Sequence, residues 1–431
     1  MTESRRAAFL RAAWQPVDAS SIGAFRVLFG LALFGGIVRF VVSGWIEVLF
    51  LRPTFFFKYP LLEWVAVPPA PVLYALYAML AMLALALAAG WKTRLSALLF
   101  TVGFAYAEAM DVTNYLNHYY LVVLLGLLLA ALPTGSAFSL GGGNSAATVP
   151  AWVLWLLRFQ VAIVYVNAGL AKAGTDWLFH AQPLGIWMAA RTETPVIGPL
   201  LHYGWTAFAM SWAGFLFDTT VVFWLSYPRT RAVAFAVLLV FHGLTRVFFE
   251  IGMFPVLMPI AATLFFAPDW PRRFLRLRPR LPPPLPARVG PRRHALVAAV
   301  VGVWCAFHLL FPLRHLVYPG DVLWNEEGMR WAWKVMVREK SGSITYYVRN
   351  PETGREWQVS PHRYLTWRQA NEMSGQPDLI AQLARHIAAD FRRRGLGDVE
   401  VRAEAWVSLN GRASSSMIDP SVDLARAPSG F

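Results

Sequence analysis

The chain has 431 residues, 57% of them hydrophobic and only 15% charged, where an ordinary soluble domain carries about 25% charged residues. Aromatics reach 15%, with 19 Trp, and mean hydropathy is +0.45. These values exclude a simple soluble globule and imply several lipid-embedded helices with interfacial Trp.

The net charge of +14 does not mark a nucleic-acid binder. Its densest part, eight arginines within residues 272–293 around the Pro-rich run 282–286, has the pattern of a topology and lipid-headgroup signal. The single cysteine, Cys305, excludes an intrachain disulfide, and its apolar setting disfavours thiol chemistry.

In chain order, Arg5, Arg6 and Arg11 precede the first apolar run with no small-residue cleavage site, so that run reads as a retained span. A span needs about 20 apolar residues, fewer inside a bundle. Spans are expected at residues 22–42, 72–89, 95–110, 118–132, 152–171, 205–226, 232–248, 253–266 and 295–311. With the N-terminus inside, Lys92, Arg94, Arg229, Arg231 and the eight arginines fall in inner loops, as the positive-inside rule requires. Nine spans then put the C-terminus outside. The run Gly141 to Asn144 reads as a flexible inner loop and not a phosphate cradle.

From residue 314 the composition turns polar. Residues 331–337 alternate like a strand, and 343–349 and 356–360 flank Asn350-Pro-Glu-Thr-Gly354, a hairpin signal. Residues 378–394 repeat apolar positions at helical spacing, and 399–409 alternate again. The expected fold is a polytopic α-helical membrane protein of about nine spans, residues 1–313, with a small α+β outer domain, residues 314–431.

Polar residues in spans are costly and so are candidates for function. Glu108 and Asp111 are three apart and share a face if their helix reaches that far. Otherwise they mark a wet helix end. His242, Arg246 and Glu250 fall at i, i+4 and i+8 on one stripe, either a salt-bridged contact between helices or part of a site. Arg158, Gln160 and Asn167 share a span with Lys172, and Arg158 suits a backbone carbonyl or a headgroup. Asp218 opens a further apolar run. No metal-ligand spacing, phosphate loop or nucleophile elbow is present.

Lys172 closes the run Val164-Tyr-Val-Asn-Ala-Gly-Leu-Ala-Lys172-Ala-Gly-Thr-Asp-Trp177. Two readings stand side by side. In one it is a charged anchor paired with Asp176 at a helix C-terminus. In the other, burial disfavours the ammonium and leaves a neutral amine able to act as a base.

That run resembles the active-site segment of the vitamin K-dependent gamma-glutamyl carboxylase family, whose bacterial relatives form the horizontally transferred transmembrane-domain group. Further segments are similar in the same order: Asn117-His118-Tyr-Tyr-Leu121; Phe241-His242 through Ile251-Gly-Met-Phe254 with Pro268-Asp-Trp-Pro-Arg272; and Trp406-Val-Ser-Leu-Asn410 with Asp419 to Asp423.

The resemblance implies a membrane enzyme in which Lys172 deprotonates a reduced naphthoquinone (phylloquinone or menaquinone hydroquinone). Reaction with O2 then yields a base strong enough to take the γ-hydrogen of a peptide glutamate. CO2 adds and the quinone leaves as its epoxide. It further implies that Asn117 and His118 position quinone oxygens or CO2 and that His242 supports the intermediate by hydrogen bonds, which makes His118 and His242 catalytic candidates beside Lys172; Tyr165, Asn167, Arg246 and Glu250 are the further candidates for binding quinone or substrate. Partners are then membrane lipid, quinone and a glutamate-containing protein or peptide. Two alternatives keep the fold: a quinone epoxidase without efficient carboxylation, and a non-catalytic scaffold or transporter. Animal members often carry two consecutive lysines where this chain has Ala171-Lys172, and a longer outer region that helps hold a propeptide.

Overall fold

The computed structural model describes residues 3–140, 148–249, 251–277 and 290–427. The run Gly141 to Asn144, the Pro-rich run 282–286 and Glu250 lie outside the described residues.

Helices stand where the apolar runs predict them: α1 Ser20–Val42, α2 Ala70–Ala89, α3 Thr93–Ala109, α4 Asn117–Ala131, α5 Ala151–Ala171, α6 Gly204–Ser226, α7 Arg231–Phe248, α8 Phe254–Ala262 and α9 Pro291–Leu310. Among the described residues, six helical segments, at α1, α2, α5, α6, α7 and α9, are long and apolar enough to cross a membrane. The segments at α4 and α8 are shorter apolar helices, and α3 has 17 residues. The expected count of nine spans is therefore coarser in the structure: a helical bundle with six candidate spans.

Local chemistry sets the helix ends. Pro69 and Pro71 start α2, where a missing N–H costs nothing, and Gly90 ends it at φ 72°. Close approach of α1 to α2 depends on Gly30, where a Cβ would meet the Ala88 amide nitrogen at 2.7 Å. Two arginines, Arg26 buried and Arg158 half-buried, bind the bundle together through carbonyls that helix ends leave free. Arg26, fully buried, donates to Ala88 O at 2.8 Å, Ala137 O at 3.1 Å and Phe138 O at 2.6 Å. Arg158 donates to Leu264 O at 2.7 Å and Phe266 O at 2.9 Å, so it faces carbonyls.

The C-terminal unit is a four-stranded antiparallel sheet in spatial order β2-β1-β3-β4, with β1 Lys340–Arg349, β2 Glu356–Val359, β3 Glu400–Leu409 and β4 Ser415–Ser416. The β1–β2 hairpin forms as its turn signal predicts. Asn350 Oδ1 accepts from the amides of Glu352 at 2.8 Å and Thr353 at 3.0 Å, and Gly354 takes φ 71°. Helices α10 Trp367–Ser374 and α11 Pro377–Arg393 lie against the sheet over a core that includes Tyr346, Val401, Ala403, Leu383 and Ile387.

Residues 331–337 do not form the expected strand. Trp331, Trp333 and Met336 have positive φ (62°, 57° and 56°), which breaks an extended ladder. The polar backbone groups go to the bundle instead: Trp331 N–H donates to Tyr115 Oη at 2.8 Å, and the Val335 carbonyl accepts from Lys172 at 3.3 Å. Further contacts join sheet and bundle. Gln369 Nε2 donates to Asp111 Oδ2 at 2.7 Å, and Gln382 Oε1 accepts from the Lys58 amide at 2.9 Å. Asp111 is therefore buried and satisfied, not a wet helix end. Helix α3 stops at Ala109, so Glu108 and Asp111 share no helical face.

Candidate active site

Helix α5 ends at Ala171, and Lys172 is its C-cap. Its amide still donates to Gly169 O at 2.9 Å. At Gly169 a Cβ would lie 2.7 Å from the Thr219 amide nitrogen and 3.0 Å from the Asp218 carbonyl carbon, so glycine lets α5 and α6 touch backbone to backbone. That contact puts the last turn of α5 against the middle of α6.

The result is a buried ion pair: Lys172 Nζ lies 2.9 Å from Asp218 Oδ2. Lys172 is 5% exposed and Asp218 6%. An ammonium has three N–H donors, and three acceptors surround Nζ: Asp218 Oδ2, Ala168 O at 3.2 Å and Val335 O at 3.3 Å. The Trp177 ring lies 5.2 Å from Nζ. It is held there by its indole N–H, which donates to Ser211 O at 2.8 Å, while Ser211 Oγ donates to Trp177 O.

The pairing of Lys172 with Asp176 does not occur. The chain turns at residues 173–174 and begins a new short helix, Thr175–His180, so four-residue spacing no longer places the two on one face. Asp176 instead accepts from Asn410 Nδ2 at 2.8 Å and pairs with the Arg412 guanidinium, tying the bundle to the end of β3.

Lys172 and Asp218 stand in the wall of a small apolar cavity of about 70 Å³. Tyr165, Leu184, Phe241, Phe249, Phe254 and Met336 are among its walls. Tyr165 Oη lies 2.8 Å from His242 Nε2. His242 is 1% exposed, and its Nδ1 has no hydrogen-bond partner among the described residues. The Phe254 ring stands between the two candidate histidines, 5.7 Å from His242 and 6.1 Å from His118 by ring centroids. His118, also buried, leaves Nε2 without a partner. An apolar space with one amine–carboxylate pair in its wall suits an apolar ligand that carries an oxygen to be hydrogen-bonded. The partnerless histidine nitrogens are further hydrogen-bonding capacity nearby.

The other candidates are not gathered here. Asn167 Nδ2 donates to Ile163 O of its own helix at 2.8 Å and is absent from the cavity wall. Arg246 is exposed, because α7 turns that side of the stripe outward. Glu250 lies outside the described residues, and α7 already ends at Phe248. Asn117 sits in a separate polar cleft, where it accepts from Tyr115 Oη at 3.0 Å. Sequence reasoning noted Asp218 among the polar residues of the spans but gave it neither partner nor role. Its signal was present, since a carboxylate inside a span needs a partner.

Comparison with known families divides the chain in two. The HTTM domain matches residues 14–270, more than half of the chain. The lumenal domain of vitamin K-dependent gamma-carboxylase matches residues 293–431. No solved structure matches the chain. With the helical bundle and the sheet-bearing unit both matched in order, the chain belongs to the vitamin K-dependent gamma-carboxylase family.

Proposed function

We propose that this protein oxidises a reduced naphthoquinone to its epoxide and couples that reaction to γ-carboxylation of a peptide glutamate. The observation that carries the reading is the buried Lys172–Asp218 pair, 2.9 Å apart, at the rim of an apolar cavity. Oxidation of the bound reduced quinone by O2, to epoxide and water, would supply the driving force and the base strength that removing a glutamate γ-proton demands, and CO2 would then bond to that carbon.

The protein's part is to manage one proton in a dry place. In low dielectric the pair is stable when its net charge is zero. That holds for ammonium with carboxylate and equally for amine with carboxylic acid. Transfer of a proton from Nζ to Oδ2 leaves a neutral amine facing the cavity, able to take a phenolic proton. Asp218 is thus the acceptor that makes Lys172 a base. The Trp177 ring and the apolar walls keep water from the amine. Tyr165, in the cavity wall, orients His242 behind it by their mutual hydrogen bond.

On this reading residues 1–313 form the membrane domain and residues 314–431 an outer domain, with the N-terminus cytoplasmic. The quinone enters from lipid and the glutamyl peptide from the side of the C-terminal unit.

Purified protein in lipid nanodiscs, given reduced vitamin K, O2, labelled bicarbonate and a Glu-containing peptide, should fix label in the peptide and release epoxide. Epoxide without label would leave a quinone epoxidase. The absence of both products would refute the proposal.

A further inference from the structure

A cavity of about 360 Å³ opens where the end of α9 meets the C-terminal unit. Tyr59, Arg314, Tyr318, Glu327, Arg330 and Arg385 are among its walls. Arg314 and Tyr318 follow α9 directly, and the apolar segment to which α9 belongs runs on to Val317. Arg385 comes from the middle of α11. Next in sequence to these walls, Leu61, Trp64, Leu316 and Val317 are all strongly exposed. Exposed aliphatic side chains with a Trp, at the end of a candidate span, mark the level of the lipid headgroups.

Most charges around the cavity are matched. Arg330 pairs with Asp378 at 2.8 Å, and Glu326 with Arg338 at 2.7 Å and Lys340 at 2.9 Å. Arg314 donates to Phe311 O at 3.1 Å and to Arg330 O, and its guanidinium lies 4.2 Å from the Phe311 ring centre. Two groups of opposite sign are left over. Arg385 has no hydrogen bond or ion pair with any described residue, and its Nη1 is buried. Glu327 pairs with no cation among the described residues, and its carboxylate accepts only a long hydrogen bond, from Asn325 Nδ2 at 3.4 Å. A buried donor of a charged group without an acceptor is costly unless a ligand supplies one.

We infer that this cavity binds the headgroup of a membrane phospholipid of the phosphatidylethanolamine type, with the phosphate on Arg385 and the ammonium on Glu327. A guanidinium takes two phosphate oxygens side by side, which gives Arg385 Nη1 its missing acceptor. The primary ammonium brings a positive charge and three N–H donors to the Glu327 carboxylate. The other common headgroups match less of the site. Phosphatidylglycerol offers Glu327 no cation, and the quaternary ammonium of phosphatidylcholine has no N–H to donate. The acyl chains leave along the exposed Leu316 and Val317. One such lipid spans α11, residues 325–331 and the end of α9, and so holds the C-terminal unit against the bundle at the bilayer surface. The site is separate from the Lys172 cavity and independent of the catalytic reading.

The test is lipid binding by the full-length protein in detergent, counted by native mass spectrometry. Dioleoyl phosphatidylethanolamine, phosphatidylglycerol and phosphatidylcholine are added in equal amounts. Wild type should bind one phosphatidylethanolamine about tenfold more tightly than either competitor, near 1.4 kcal/mol. Arg385→Met should lose that tight lipid, and Arg385→Lys should restore only part of it, because an ammonium lacks the planar fork. Glu327→Gln should erase the preference for phosphatidylethanolamine over phosphatidylglycerol. Inorganic phosphate in about hundredfold excess should displace no lipid. Wild type without the preference, or Arg385→Met or Glu327→Gln that keeps it, overturns the inference. Displacement by inorganic phosphate also overturns it, in favour of a free-anion site. Gel filtration and melting show which variants are folded, and the two positions are tested separately so that either can decide.

Discussion

Lys172 Nζ and Asp218 Oδ2 stand 2.9 Å apart, joined from helices 46 positions distant in sequence, and neither side chain has appreciable exposure. Such a pair is weak evidence for stability in itself, because both charges have lost their water. Removing one partner is a different matter, since it leaves the other buried alone. Asp218→Asn should lower unfolding stability by about 3 kcal/mol and abolish epoxide formation. The double variant Lys172→Met/Asp218→Leu should melt above the single variant while staying inactive. Thermal melting in one detergent, with an epoxide assay beside it, checks both.

Gly169 is the hinge of that geometry. A methyl there would stand 2.7 Å from the Thr219 amide nitrogen, and backbone atoms cannot turn aside. Gly169→Ala should push α6 away from α5, at a cost of about 1–3 kcal/mol. Epoxide formation should fall further than stability alone explains, because the Lys172–Asp218 distance lengthens. A cysteine pair placed across α5 and α6, or a structure of the variant, reports the displacement.

Tyr165, in the cavity wall, makes one 2.8 Å hydrogen bond to His242 behind it. Tyr165→Phe removes it without changing the cavity's shape and should cost about 1 kcal/mol of stability. Its functional mark should be a raised KM for the reduced quinone, because His242 loses its orientation. Equal KM in variant and wild type would remove Tyr165 from the account.

Alkaline pH acts on the C-terminal unit. Burial, and then its 2.7 Å hydrogen bond to Asp390, push the Tyr364 phenol up to about 12. A group raised on folding contributes fully below its unfolded value of about 10 and loses that contribution as pH climbs to the folded one. Stability should therefore fall between about pH 10 and pH 12. Tyr364→Phe should flatten part of that slope, measured by melting against pH.

How far the sequence could carry these assignments depended on the range of the interaction. Helix positions came from apolar runs with Pro and Gly at their ends, as at α2, and the β1–β2 hairpin from Asn350 to Gly354, because those signals act within a few residues. Lys172 stood out because a cation beside lipid is expensive. Its partner did not, because local spacing nominated Asp176, and the chain turns away before that residue. Asp218 is adjacent only once Gly169 has let two helices meet, which no periodicity reveals. Arg246 was placed by extending a stripe of α7 from His242, which is buried, to an end that the bundle leaves exposed. Residues 331–337 alternate as a strand does, yet they spend their polar groups on Tyr115 and Lys172.

The central claim is that Lys172, relayed by Asp218, is the base that starts quinone oxidation. The direct measurement is epoxide formed per mole of folded protein, for wild type and Lys172→Ala, with reduced vitamin K and O2 in excess. The account predicts a loss of about a hundredfold or more, the scale of a missing general base. Epoxide formation by Lys172→Ala at a rate near wild type would contradict it.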